Sequence, residues 1–295
     1  MKTEIIDLYE YFNVKKPEGA RGYLATYVAA LSPEIDPGRK LPAMLVIPGG
    51  AYYMVSDREA EPVALKFFAA GFNAFVLNYS VAGNSAVKYP YQIAEAEMAV
   101  AYLRLNAEKL HIDAEKIAAV GFSAGGHLCA MLGSCHNCPS VGEVFKPPVC
   151  VKPNAVVLSY PVITCNPECG HLDSFNFLCG EGRKDLYDKV DILNLIDENS
   201  APAFIWSTFN DGAVPCDNAL LAALKYKERK VPVSVHERHT HIEILRHTHH
   251  CVVNAGIAVR MITSQNRTDR VSALTVSLVG RQIIFIHCVK YTAVH

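Results

Sequence analysis

Five short apolar runs constrain this chain more than any other feature: "AMLVI" (43–47), "NAFVLNY" (73–79), "KIAAVGF" (116–122), "NAVVLSY" (154–160) and "PAFIWST" (202–208). Continuous runs of this length suit strands buried on both faces of a mostly parallel sheet, which has no solvent face to demand alternation. Helical segments lie between them. Ser56-x-x-Glu59 has the form of a capping box opening a helix through "PVALKFFAA" to Gly71, with Pro62 tolerable only in its first turn. Over 91–110, Ile93, Ala96, Val100, Leu103, Ala107 and Leu110 recur at spacings of three and four, one apolar helical stripe. Alternating strands and helices predict an α/β fold: a doubly wound, mostly parallel sheet in a single domain over residues 1–235. The polar, turn-rich stretch at about 162–200 reads as a small lid-like insertion over one edge of a site.

Composition excludes several classes. A net charge of −1 gives no electrostatic reason to expect nucleic acid or an anionic membrane as partner. "MKTEIIDLYEYF" has no signal-peptide core, and the late apolar stretch "VSALTVSLVGRQIIFIHCV" is broken by Arg281 and Gln282. The expectation is a soluble, cytoplasmic chain without a membrane span. Ten cysteines are then expected as reduced thiols. Cys135-x-x-Cys138, with Cys165, Cys169 and His171 further on, has ligand-like spacing, but ordinary thiols in a loop-rich region are the favoured reading, with no metal and no cofactor.

The chemistry centres on Gly121-Phe122-Ser123-Ala124-Gly125, a G-x-S-x-G between a strand and a helix. Small neighbours let such a serine occupy a strained turn that lifts Oγ above the sheet and aims the next N–H, that of Ala124, at a developing oxyanion. Further oxyanion donors are expected from Pro48-Gly49-Gly50-Ala51 after an earlier strand, with Gly50 and Ala51 as the natural ones. Tyr52, Tyr53 and Met54 follow, as candidates for the acyl pocket or for the core. Asp211, just past 202–208, is the candidate acid that orients and stabilises a histidine. Asp217 is the weaker competitor, placed to open the next helix.

With these motifs, "PGGAYYMVSDREAEPVALKFFAAGFNAFVLNYSVA", "IDAEKIAAVGFSAGGHLCAMLGS", "KPNAVVLSYPVIT" and "PAFIWSTFNDGAVPCDNALL" resemble the bacterial acetyl-xylan-esterase/feruloyl-esterase-like branch of the α/β hydrolases over roughly residues 20–235. The resemblance implies an α/β-hydrolase sheet, a nucleophile at Ser123, an acid at Asp211 and oxyanion amides at Gly50, Ala51 and Ala124. Ala51 stands where the family commonly has a third glycine. "HLDSFNFLC" from His171 to Cys179 also looks like a family feature, with His171 structural.

The histidine departs from the pattern. The family places it after the last strand, here "VPVSVHE" (231–237), in a G-x-H-G-like context that this chain lacks. Spacing from Asp211 points to His241; His239 and His236 compete, and His236 falls within the strand. From His236 onward the chain holds eight of its twelve histidines and no clear periodicity, so 236–295 reads either as a genuine extension or as a sequence altered relative to its relatives, for example by a frameshift. The leading expectation is a serine carboxylester hydrolase acting on short acyl esters of small molecules, such as acetylated oligosaccharides. The alternatives are a catalytically impaired hydrolase fold lacking a positioned histidine, and a serine peptidase of the same fold.

Overall fold

The computed structural model describes residues 1–135, 139–238, and two short paired strands at 278–279 and 282–283. Eight strands form one sheet: β1 (Lys2–Asp7), β2 (Tyr23–Val28), β3 (Leu41–Ile47), β4 (Asn73–Asn78), β5 (Ile112–Phe122), β6 (Ala155–Ser159), β7 (Ala203–Thr208) and β8 (Val233–Arg238). Their order is β1-β2-β4-β3-β5-β6-β7-β8. β1, β2 and β4 pair antiparallel, and every pairing from β4 to β8 is parallel. All five expected strands and the one at 231–237 are present.

The apolar runs are continuous because both faces are covered. Ala43, Leu45 and Ile47 of β3 join one core, while Met44 and Val46 join the other. β5 alternates in the same way, with Ile117 and Ala119 opposite Ala118, Val120 and Phe122. α2 (Glu61–Ala69) covers the smaller core through Val63, Ala64 and Phe67. The larger core is filled by α3 (Tyr91–Leu105), α4 (Ala124–Ser134) and α9 (Asp217–Glu228).

Some local expectations shift. The N-terminal antiparallel strands carry no continuous apolar run, and β1 is mostly exposed. They are joined by α1 (Leu8–Phe12), capped by Asp7, whose carboxylate accepts from the N–H groups of Tyr9 and Glu10. The capping box at Ser56 does not form. Residues Asp57–Glu59 make a 3-10 turn, Ser56 caps nothing, and α2 begins at Glu61 with Pro62 in its first turn. The stripe over 91–110 overruns its helix, because Asn106 stops α3: its N–H and its Nδ2 both bond the Tyr102 carbonyl. Leu110 still reaches the core from the following turn. The insertion holds α6 (Leu172–Cys179), α7 (Tyr187–Val190) and α8 (Ile192–Leu195), after the single turn α5 (Pro139–Gly142).

Cys135 is disulfide-bonded, against the expectation of reduced thiols, while Cys129, Cys150, Cys165, Cys169, Cys179 and Cys216 are free. Cys138 lies outside the described residues. Among those described, no group of three His, Cys, Asp or Glu side chains is placed to hold a metal ion, and no helix is long and apolar enough to cross a membrane.

α3 carries two buried carboxyls. Glu95 accepts from Tyr9 Oη, Ser80 N and Ser80 Oγ, and burial still pushes it up to about 7. Glu97 is 3% exposed, has no hydrogen-bond partner among the described residues, and is pushed up to about 8 by burial. A carboxyl raised in the folded state binds its proton more tightly there, so its contribution is fully present below the unfolded value and fades as pH rises through the folded one. For Glu97 that window runs from 4.5 to about 8. Urea unfolding should therefore show stability falling by roughly 2–4 kcal/mol from pH 5 to pH 8. Glu97→Gln should remove the Glu97 share of that slope and leave the share of Glu95, which acts in the same direction up to about 7. An unchanged slope would contradict this account.

Candidate active site

β5 ends at Phe122 and α4 begins at Ala124, leaving Ser123 alone at the turn with φ 51° and ψ −119°. An L-residue holds such angles only where its surroundings impose them, at a cost on the order of 1–3 kcal/mol. The surroundings are close. A Cβ on Gly121 would strike the Gly125 carbonyl and lie 2.6 Å from Cys129 Cβ. A Cβ on Gly125 would strike the carbonyls of Ile47 and Pro48. The backbone is tied as well: Ser123 N–H donates to the Ser159 carbonyl (3.0 Å), and the Ser123 carbonyl accepts from Val162 N–H (3.1 Å). From residue 117 to 135 every residue is buried except Ser123. Its side chain caps no backbone group of α4.

The loop after β3 comes up beside it. Gly50 (φ 124°), Ala51 (φ 55°) and Tyr52 (φ 59°) are three consecutive residues at positive φ, two of them with side chains. Hydrogen bonds hold the turn: the Pro48 carbonyl accepts from Tyr79 Oη (2.8 Å), that of Gly49 from Ser56 N–H, and that of Gly50 from the N–H groups of Tyr53 and Met54. The N–H groups of Gly50, Ala51 and Ala124 find no partner among the described residues. Unpartnered donors beside a partly exposed serine are an arrangement that can accept negative charge on an oxygen.

A cavity of about 610 Å³ lies at the carboxyl ends of the central strands, and Ala124 is buried beneath Ser123 rather than among its lining residues. Ser123, Gly50, Ala51 and Asp211 all line it. Asp211 follows β7 in a tight turn where its Oδ1 accepts from the N–H groups of Ala213 (2.8 Å) and Val214 (3.0 Å). Asp217 is elsewhere in role, an exposed residue in the first turn of α9. Of the three residues after Ala51, Tyr53 and Met54 line the cavity, each 52% exposed, whereas Tyr52 is buried.

Histidines are the remaining question. His241 and His239 lie outside the described residues. His236 sits in β8 opposite Trp206, with its ring against Phe204. His127 is buried: Nδ1 pairs with Tyr52 Oη and Nε2 with the Val190 carbonyl, each at 2.8 Å. Burial pushes it down to about 4, so it stays a neutral structural ring. His171 serves α6 as N-cap, its Nδ1 accepting from Ser174 N–H, in line with a structural role, yet it also lines the cavity.

Sequence reasoning passed over several lining residues. From the insertion come Asp173 and Phe177, and the Phe177 ring lies 5.2 Å from that of Tyr53. Tyr160 follows β6. Glu59, expected to cap a helix, instead accepts from Gly49 N–H and from Tyr160 Oη, each at 2.8 Å. The serine-acid spacing could not reveal these residues, because they come from loops whose path only the fold determines.

Comparison with known proteins bears on the family and the fold. The sequence matches the BD-FAE family over residues 32–226. It is 36% identical over 197 residues to endo-1,4-beta-xylanase B of Butyrivibrio fibrisolvens, covering 65% of this chain and 31% of that protein. It is 30% identical over 189 residues to an acetylxylan esterase of Xylanibacter ruminicola, covering 62% of this chain and 36% of that protein. The chain thus spans about a third of the length of these curated relatives. An acetyl ester-xyloside bifunctional hydrolase from Caldicellulosiruptor lactoaceticus superposes with a TM-score of 0.70 at 29% identity, over 89% of this chain and 93% of that one. The carboxylesterase Cest-2923 of Lactobacillus plantarum superposes with a TM-score of 0.72 at 23% identity, over 90% of this chain and 98% of that one, and shares the fold. With an α/β-hydrolase sheet and a family match covering most of its length, the chain belongs to the BD-FAE family.

Proposed function

We propose that this chain is a carboxylic ester hydrolase that cleaves short acyl esters, acetyl groups on xylan-derived oligosaccharides in particular, through a serine acyl-enzyme. The observation that carries the reading is Ser123 itself. It is strained, partly exposed at the head of α4, and shares its cavity with Asp211 and with Gly50 and Ala51, whose N–H groups have no partner among the described residues. The acetyl and xylan assignment is supported by the names of the relatives: an acetylxylan esterase, a xylanase and an acetyl ester-xyloside hydrolase.

In this reading Ser123 Oγ attacks the ester carbonyl while His241 takes its proton. The carbonyl oxygen becomes an oxyanion held by the N–H groups of Gly50, Ala51 and Ala124. The protonated histidine passes its proton to the leaving alcohol, and the acyl-serine remains. Water, deprotonated by the same histidine, then attacks the acyl carbonyl, releasing acid and free serine. Asp211 keeps the histidine in the right tautomer and stabilises its cationic form. The Tyr53–Phe177 ring pair and Met54 supply apolar surface beside the serine.

A second reading has its own observation. Among the described residues no histidine hydrogen-bonds to Asp211, and the family's glycine-flanked histidine motif is missing from the sequence. An elbow without a placed base would be a catalytically impaired hydrolase fold.

Hydrolysis of p-nitrophenyl acetate separates the two. Turnover that falls at least about 10³-fold in Ser123→Ala, and about 10²–10⁴-fold in Asp211→Asn and His241→Ala, is the expected result. Wild-type protein no faster than buffer would favour the impaired fold. Full activity in His241→Ala with loss in His239→Ala would move the base. A second expectation concerns the elbow: Gly121→Ala should abolish turnover or prevent folding, because its Cβ has no room against Gly125 and Cys129. A stable, active Gly121→Ala enzyme would contradict the packing described for the turn.

A further inference from the structure

Glu59 occupies a position that neither helix capping nor the catalytic scheme explains. It closes the 3-10 turn before α2, is half-buried, and lines the cavity with Ser123. One carboxylate oxygen, Oε2, accepts from Gly49 N–H at 2.8 Å, and the other, Oε1, accepts from Tyr160 Oη at 2.8 Å. Gly49 belongs to the loop after β3, and Tyr160 to the loop after β6. In the sheet, β3 and β6 are the two strands that flank β5, which carries the elbow. A single carboxylate therefore spans the nucleophile and joins the loops on either side of it.

We propose that Glu59 is a positioning residue: its carboxylate braces the oxyanion loop and the Tyr160 loop across Ser123, and so fixes the Gly50 and Ala51 amides at their distance from the serine. The inference rests on the ester-hydrolase reading above.

Three further observations carry it. First, the bond from Gly49 decides which amides remain: the first N–H of the Gly49-Gly50-Ala51 turn is taken by Glu59, and the next two are left for a substrate oxygen. Second, the contact continues to the nucleophile. A Cβ on Gly49 would lie 2.7 Å from Glu59 Oε2, 2.7 Å from the Phe122 carbonyl and 3.1 Å from Ser123 Cβ, so the glycine backbone is pinched between the carboxylate and the elbow. Third, Tyr160 is itself a rigid anchor. Its φ is 36°, its N–H donates to the Trp206 carbonyl at 2.7 Å, and its ring packs against Trp206 and, at 6.0 Å, against Phe122. Bonds to a carboxylate are shorter and stronger than neutral ones, and two fixed acceptor oxygens on one carbon impose a separation that two independent bonds would not.

The test compares Glu59→Ala, Glu59→Gln and Tyr160→Phe by steady-state hydrolysis of p-nitrophenyl acetate. Amide hydrogen exchange of the peptide containing Gly49 is followed in the same proteins. Glu59→Ala should lower kcat by about 10–100-fold with KM changed less than about threefold, since loosened amides weaken the transition state more than the ground state. Tyr160→Phe, which removes one arm, should fall between it and wild type. Glu59→Gln keeps an acceptor for Gly49 N–H and should recover most of the loss. Exchange at Gly49 should quicken in Glu59→Ala and stay slow in Glu59→Gln.

A Glu59→Ala enzyme with kcat within about threefold of wild type would overturn the proposal, as would Glu59→Gln being as damaged as Glu59→Ala. If the wild type shows no turnover, the ester-hydrolase reading fails, and exchange alone decides the brace: faster Gly49 exchange in Glu59→Ala upholds it, and unchanged exchange removes it.

Discussion

The close packing of β5 and α4 around Ser123 is the constraint on which the rest depends. The serine can hold its positive φ only because Gly121 and Gly125 leave no side chain between strand, helix and the carbonyls of Ile47 and Pro48. The same approach brings the loop after β3 against the elbow, while the Ser159 carbonyl and Val162 N–H bind the elbow to the loop after β6. Three consecutive strands of the sheet thus meet at one residue. Their strained turn is stabilised by two apolar cores that bury both faces of the sheet, and such burial contributes roughly 25 cal/mol per Å² of apolar surface.

The buried histidine of α4 brings no charge to the elbow. His127 is one turn along α4 from the serine, and its two nitrogens are satisfied by Tyr52 and the Val190 carbonyl, so it remains neutral near physiological pH. That bond also ties the loop after β3 to α4, since Tyr52 directly follows Ala51. The loop is therefore held from three sides: by Tyr79 at Pro48, by Glu59 at Gly49, and by His127 at Tyr52. In the proposed ester-hydrolase reading, such preorganisation would fix the amide dipoles before charge develops on the substrate.

The central sheet, and the positions of Ser123, Asp211 and the Gly49–Ala51 loop at its strand ends, are legible in the sequence because each is local. A strand buried on both faces reads as an apolar run, and an elbow reads as glycines spaced around a serine. β1 was not legible: it is an exposed edge strand with no hydrophobic run, held by its pairing to β2. The role of Glu59 is hidden for a similar reason. Ser56-x-x-Glu59 has the spacing of a capping box, but two partners distant in sequence, Gly49 and Tyr160, take the carboxylate and leave the helix to start at Glu61. Phe177 and Asp173 join the cavity from an insertion whose fold no periodicity announces. Cys135, expected as a thiol, is in a disulfide, a pairing that spacing alone does not reveal.

The central claim is that Ser123 is an activated nucleophile, and covalent trapping tests it most directly. Intact protein treated with a fluorophosphonate should gain the mass of one adduct, and peptide mapping should place it on Ser123 within the segment 117–135. A protein that gains no adduct, or carries it on another residue, would contradict the account.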